Sequence, residues 1–236
     1  MHKNSILPLL TFQKKFCTIE LQYHCCSIYG QVSLPVRFHP IKQEQLMSQK
    51  QNYQITAWCQ RMMREHIHQG SLCIDATMGN GNDTQFLCTQ AGRNGSVLAF
   101  DIQPAALEHT KERLAQALPY CNYQLILDSH ERLDAYAAPE SADCIAFNLG
   151  YLPGGDHMLA TKPGSTLTAL EKSLALLKKD GLLCICIYSG GDTGFAERDA
   201  VLSWLRTLDS RKYLVLLTQY YNRPNNPPIP AFVIRL

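Results

Sequence analysis

Leu72-Cys73-Ile74-Asp75-Ala76-Thr77-Met78-Gly79-Asn80-Gly81-Asn82-Asp83-Thr84 is the stretch from which the fold can be read. Its apolar opening, Leu72 to Ile74, suits a short strand covered on both faces. The strand ends on a carboxylate, Asp75, turns through Gly79 and Gly81, and enters a helix expected over Asp83–Gln90. Glycines at these two positions reach backbone angles closed to other residues and let a ligand approach the main chain. Asn82 and Gln85, three positions on, have the spacing of a capping box at the helix start. The free N–H groups of the first helical turn then point into the loop.

Two kinds of cofactor use such a turn, and they need opposite charges beside it. A dinucleotide lays its pyrophosphate on the helix N-terminus, within a G-x-G-x-x-G turn that has no acid next to it. Here Thr84 stands at the third glycine position, and Asp75 would repel a phosphate. A carboxylate in that place suits a cation. S-adenosylmethionine carries an ammonium and a sulfonium, so the acid favours it over NAD. The bland alternative is an ordinary strand-to-helix turn.

With 236 residues, the chain is long enough for one well-buried domain. Its 46% apolar and 18% charged content is that of a globular protein. No apolar run approaches the about 20 residues that a bilayer-crossing helix needs, so no membrane association is expected. The opening Met1–Phe12 is interrupted by Pro8 and shows no small-residue cleavage site, which argues against a signal peptide. Of the ten cysteines, Cys73, Cys144, Cys184 and Cys186 fall in runs that read as core strands. No C-x-x-C pair is present, so neither disulfides nor a metal site is expected, and the chain reads as cytoplasmic and reduced. A net charge of +2 excludes a broad basic nucleic-acid footprint but leaves room for a local patch.

Residues 1–42 lack sustained periodicity and read as an N-terminal extension; the domain is expected over 43–236. Ile55, Trp58, Met62 and Ile67 approximate helical spacing, and Gly70 ends that helix. Beyond it, strands are expected at Leu72–Ala76, Ser96–Asp101, Tyr123–Leu127, Ala142–Asn148 and Leu182–Tyr188, with helices between them. Two closing strands, Tyr213–Thr218 and Ala231–Ile234, flank a proline-rich loop. This alternation predicts an α/β fold: a Rossmann-like, seven-stranded, mostly parallel sheet with helices on both faces and an antiparallel last strand. The paired closing strands offer a surface for a homodimer.

In open α/β sheets, ligands sit outside the carboxyl ends of the strands. Those ends carry Asp75, Asp101, Asp128-Ser129-His130 and Asn148. Asp101 can accept both hydroxyls of a ribose, with Gln103 adding a hydrogen bond; capping the helix that starts at Pro104 is the alternative. Asp128-Ser129-His130 lies where an adenine ring needs a polar partner and a planar neighbour, although Asp128 and Glu131 also have capping-box spacing. Asn148, followed by the glycine-rich loop to Asp156, can gather hydrogen-bond acceptors around an incoming amine. A plain turn would use the same residue types.

The D-x-T-x-G-x-G-x-D-T turn, the acid ending the second strand and the Asn loop ending the fourth resemble a class I S-adenosylmethionine-dependent methyltransferase. More narrowly, Asp75–Thr84 and Asn148–Asp156 resemble the rRNA methylase branch of that class. Its members include a tRNA methyltransferase that modifies 5-aminomethyl-2-thiouridine at the wobble position of the anticodon. The similarity runs from about Gln43 to Leu236 and takes in Thr166–Leu170 and Asn222–Pro228.

The resemblance implies S-adenosyl-L-methionine held by Asp75, Gly79, Asn80, Gly81, Asn82, Asp83, Thr84, Asp101, Gln103, Ser129 and His130. It implies methyl transfer to an amine in the anticodon region of tRNA; for that chemistry Asn148 and Tyr151 are the candidate orienting groups and Asp156 the candidate proton acceptor. Two departures stand out. Asn148 and Tyr151 match the N-P-P-Y pattern of amino-group methyltransferases, but both prolines are missing, and the loop Ser189–Asp192 lacks a histidine often found in the branch. An rRNA base, a small amine, or a catalytically inactive RNA-binding module are the rival readings.

Overall fold

Short apolar runs alternating with amphipathic helices wind into one seven-stranded sheet. The computed structural model describes residues 53–149, 163–189 and 191–236. The extension expected at 1–42, the domain start at Gln43, and the loop holding Tyr151 and Asp156 lie outside the described residues. The strands are β1 (Leu72–Asp75), β2 (Ser96–Asp101), β3 (Tyr123–Leu127), β4 (Ala142–Leu149), β5 (Leu177–Ile187), β6 (Tyr213–Leu217) and β7 (Ile229–Arg235). The helices are α1 (Ile55–Arg64), α2 (Asn82–Ala91), α3 (Pro104–Ala117), α4 (Pro163–Leu176) and α5 (Gly191–Thr207), with a 3-10 helix over His130–Ala135.

Strand order is β3-β2-β1-β4-β5-β7-β6. The first five strands are parallel, while β7 runs antiparallel to both β5 and β6. The expected architecture is therefore the observed one. The order reverses between β1 and β4, so the chain leaves these neighbours in opposite directions and a crevice opens above their carboxyl ends.

Side chains alternate between the two faces of the sheet, and both faces are covered. Ile74, Leu98, Phe100, Ile145, Phe147, Leu183 and Ile185 pack with α4, α5 and the 3-10 helix in one buried cluster. Their sequence neighbours Cys73, Val97, Cys144, Ala146, Leu182, Cys184 and Cys186 pack on the opposite face with Cys59, Met63, Leu87 and Leu114. Double coverage is why the strands read as unbroken apolar runs. Full burial of each large apolar side chain contributes about 1.5–3 kcal/mol. The described cysteines are free thiols, and all except Cys121 are buried. Burial pushes the Cys73, Cys88 and Cys144 thiols up, which keeps them protonated and unreactive.

Four local expectations are corrected. Helix α1 ends at Arg64 with Glu65 as its C-cap, so Gly70 does not end it. Helix α2 starts at Asn82, not Asp83; its N-cap is Gly81, and no side chain caps it, so Asn82 and Gln85 form no capping box. The backbone turn at Gly81 supplies what a capping side chain would. At the 3-10 helix the cap is Ser129, whose side chain accepts from the Glu131 N–H, and not Asp128. Strand β5 begins at Leu177, five residues before the expected Leu182. The polar run Lys178-Lys179-Asp180-Gly181 looks like a turn, but it is a bulge: the register with β4 shifts between Ala142 and Cys144, and Asp180 takes φ 64°.

Candidate active site

The turn after β1 is tied down from three sides. Asp75 is buried, with its carboxylate accepting from the Thr84 hydroxyl at 2.6 Å and from the Thr77 N–H at 3.2 Å. Burial, then the charge of Asp83, pushes the Asp75 carboxyl up to about 7, against the pull of the Thr84 hydrogen bond. Thr84 thus explains the departure from a dinucleotide fingerprint. Where that pattern has a third glycine, this chain needs a hydroxyl for its buried acid.

Gly81 takes φ 75°, and a Cβ there would meet the Thr110 side chain at 2.7 Å, so both backbone angle and space require glycine. The Thr110 hydroxyl donates to the Gly79 carbonyl at 3.1 Å, and Arg113 Nε donates to the Asn80 carbonyl at 2.7 Å. Helix α3 therefore braces the turn from outside. The side chains of Asn80 and Asn82 line a polar groove of about 550 Å³ on that side, with Gln85, His109 and Glu112.

At the end of β2, Asp101 accepts from the Gly79 N–H at 3.0 Å and from the Gln103 N–H at 2.9 Å. One bond ties the glycine turn to the neighbouring strand; the other closes a tight turn before α3. The N-cap of α3 is Gln103, not Asp101. Ile102 and Leu127 beside it are each 53% exposed, an apolar surface at the strand ends.

Ser129 and His130 follow β3. The His130 ring meets the Phe147 ring edge-on at 5.9 Å. Its Nε2 is buried without a hydrogen-bond partner among the described residues, and burial pushes its pKa down, which favours the neutral ring. A buried, unpartnered ring nitrogen is costly unless something binds there.

Asn148, in β4, donates its backbone N–H to the Thr77 hydroxyl at 2.7 Å. Its side-chain Nδ2 donates to Asp83 Oδ2, and Gln60 Nε2, from α1, donates to Asp83 Oδ1 at 2.9 Å. Asp83 and Asn148 are thus joined across the crevice between β1 and β4. Gln60 was not legible as a site residue, because a contact spanning 23 positions leaves no spacing signal.

Three carboxylates, Asp75, Asp83 and Asp101, therefore surround one glycine turn. None forms an ion pair among the described residues. Asp75 is buried, so the negative charge that faces the crevice, repels phosphate and attracts a cation is that of Asp83 and Asp101. Among the described residues no three metal-ligating side chains converge.

The family model described as "Putative rRNA methylase" matches residues 97–234. A tRNA (mnm(5)s(2)U34)-methyltransferase, chloroplastic, from Arabidopsis thaliana is 35% identical over 171 residues. The match covers 68% of this chain, which in turn spans 62% of that relative's length. A "putative rRNA-methylase" from Clostridium thermocellum is 38% identical, with a TM-score of 0.75 over 78% of this chain and 98% of that one. A "putative methyltransferase" from Streptococcus mutans, solved in complex with SAH, is 40% identical, with a TM-score of 0.70 over 77% of this chain and 97% of that one.

Proposed function

Because the chain belongs to the rRNA methylase family, we propose that it is an S-adenosylmethionine-dependent methyltransferase that acts on tRNA. Its substrate in this reading is the amine of 5-aminomethyl-2-thiouridine at the wobble position. The observation that carries the cofactor is the pair of carboxylates beside the glycine turn that are open to the crevice and form no ion pair among the described residues, Asp83 and Asp101. The substrate is carried by the named activity of the Arabidopsis relative. The family description favours rRNA as the second reading.

The residues present fit the cofactor. Asp101 would accept the ribose hydroxyls, while Ser129 and His130 would lie at the adenine edge, beside exposed Ile102 and Leu127. Asp75, Gly79, Gly81, Asp83 and Thr84 shape the end that receives the methionine moiety. Asn80, Asn82 and Gln103 frame the set from the α3 side and the end of β2. When bound, the cofactor supplies a methyl group already activated by its sulfonium.

What remains for the chain is positioning, which contributes up to about 7–11 kcal/mol in well-oriented intramolecular reactions. Asn148 orients the amine. Tyr151 and Asp156, outside the described residues, complete the set as second orienting group and proton acceptor. An alkylammonium is protonated at neutral pH, so a proton must leave before the nitrogen lone pair can attack.

Calorimetry should show that adenosylhomocysteine binds and NAD does not. Labelled methyl should pass to tRNA that carries the unmethylated amine. Transfer to rRNA and not to tRNA would replace the first substrate reading by the second; failure to bind adenosylhomocysteine would end both. Asp101→Ala should weaken adenosylhomocysteine binding about 10- to 100-fold, since hydrogen bonds to a charged group contribute about 1.5–3 kcal/mol. Unchanged affinity in that variant would remove Asp101 from the ribose site.

A further inference from the structure

Gln60, Asp83 and Asn148 come from α1, α2 and β4 and meet on one carboxylate. An ionised carboxylate only accepts hydrogen bonds. Both amides must therefore turn their NH2 ends towards Asp83. For Asn148 that fixes the direction of the side chain: Oδ1, the end with lone pairs, is the one turned away from Asp83. No donor among the described residues reaches it. The backbone of Asn148 is held at the same time by the Thr77 hydroxyl, in the turn that Asp75 anchors.

We propose that Gln60 and Asp83 are positioning residues for Asn148. Asp83 locks the amide with Oδ1 offered to an N–H of the incoming amine, and Gln60 holds Asp83 in the rotamer that does so. The proposal rests on the methyl-transfer reading above and deepens it. Asp83 acts on the substrate side of the crevice through Asn148, although it sits in the cofactor turn. Without the carboxylate, the amide is free to turn over and present NH2, a donor, to a nitrogen that itself carries donors. A mispointed amide repels the amine where a correct one binds it.

The test uses the full chain, with methyl transfer to unmethylated tRNA and adenosylhomocysteine affinity measured side by side. Asp83→Asn, nearly isosteric but able to accept or donate, should lower kcat about 10- to 100-fold, and Gln60→Ala about 3- to 10-fold. For Gln60→Ala, which lies outside the cofactor set, KM for tRNA and adenosylhomocysteine affinity should stay within about threefold of the unsubstituted chain. Gln60→Lys keeps a donor for Asp83 and should restore most of the rate lost in Gln60→Ala. In an Asn148→Ala background neither substitution should lower the rate further, because residues that act through one group are not additive.

Full kcat in both single variants would overturn the proposal. So would losses that multiply with that of Asn148→Ala, or a fall in cofactor affinity in Gln60→Ala large enough to account for its slower rate. Gln60 is only partly buried, and its replacement keeps the test valid even if Asp83→Asn folds poorly. Failure of the unsubstituted chain to methylate any RNA is a separate result: it removes the methyl-transfer reading itself, and the proposal with it.

Discussion

Asn148→Ala should reduce methyl transfer about 100-fold or more while adenosylhomocysteine binds as before; removing one preorganised contact at a reacting centre has effects of about that size. The substitution spares the backbone N–H that donates to Thr77 at 2.7 Å, so β4 and the turn after β1 keep their link. What disappears is the amide whose Nδ2 engages Asp83. Single-turnover transfer with saturating cofactor separates this loss from any change in binding. Undiminished transfer would show that the amine is oriented by other groups.

The second large effect concerns stability and pH. The Asp75 carboxyl, at about 7 in the folded chain, has an ordinary value of 3.8. Between those values the folded chain holds a proton that the unfolded chain releases. Stability from this group is therefore fully present below about pH 4 and is lost as pH rises through about 7. The gap corresponds to about 4 kcal/mol at most, since each pH unit contributes about 1.4 kcal/mol. Asp75→Asn removes this titration and leaves the other groups in place. Thermal melts from pH 5 to 8.5 should therefore show the unsubstituted chain losing ground to Asp75→Asn as pH rises. Parallel pH profiles for the two chains would show that Asp75 does not titrate in this window. Binding of a cation at the turn favours the ionised carboxylate, so adenosylmethionine should protect the unsubstituted chain more at pH 8 than at pH 6.

The parts of the fold governed by period and punctuation were legible. Strands β2 and β3 run over Ser96–Asp101 and Tyr123–Leu127 as expected, because each is a largely apolar run bounded by turn residues. The strand-end acids could be located for the same reason. What those acids do was not legible, because it depends on partners far away in sequence. Asp75 pairs with Thr84 and is buried, so the carboxylates more open to the crevice are Asp83 and Asp101. Gln60 lies on a helix that looked merely amphipathic, and its partner is in another element. The start of β5 was hidden because a bulge uses the same Lys, Asp and Gly residues as a turn. The start of α2 was misread because a left-handed glycine does the capping, and its backbone angle leaves no mark beyond the glycine itself.

The place of β7 between β5 and β6 sets the order in which the sheet can be completed. Among the described strands β6 pairs with β7 alone, and β5 meets β7 over Leu182–Ile187. While the ribosome is still making Ile229–Arg235, β5 therefore presents a bare apolar edge and β6 has no neighbour at all. A nascent chain stalled before Ile229 carries a half-built sheet whose open edge invites pairing with other chains. Arrival of the last strand closes both gaps in a single step.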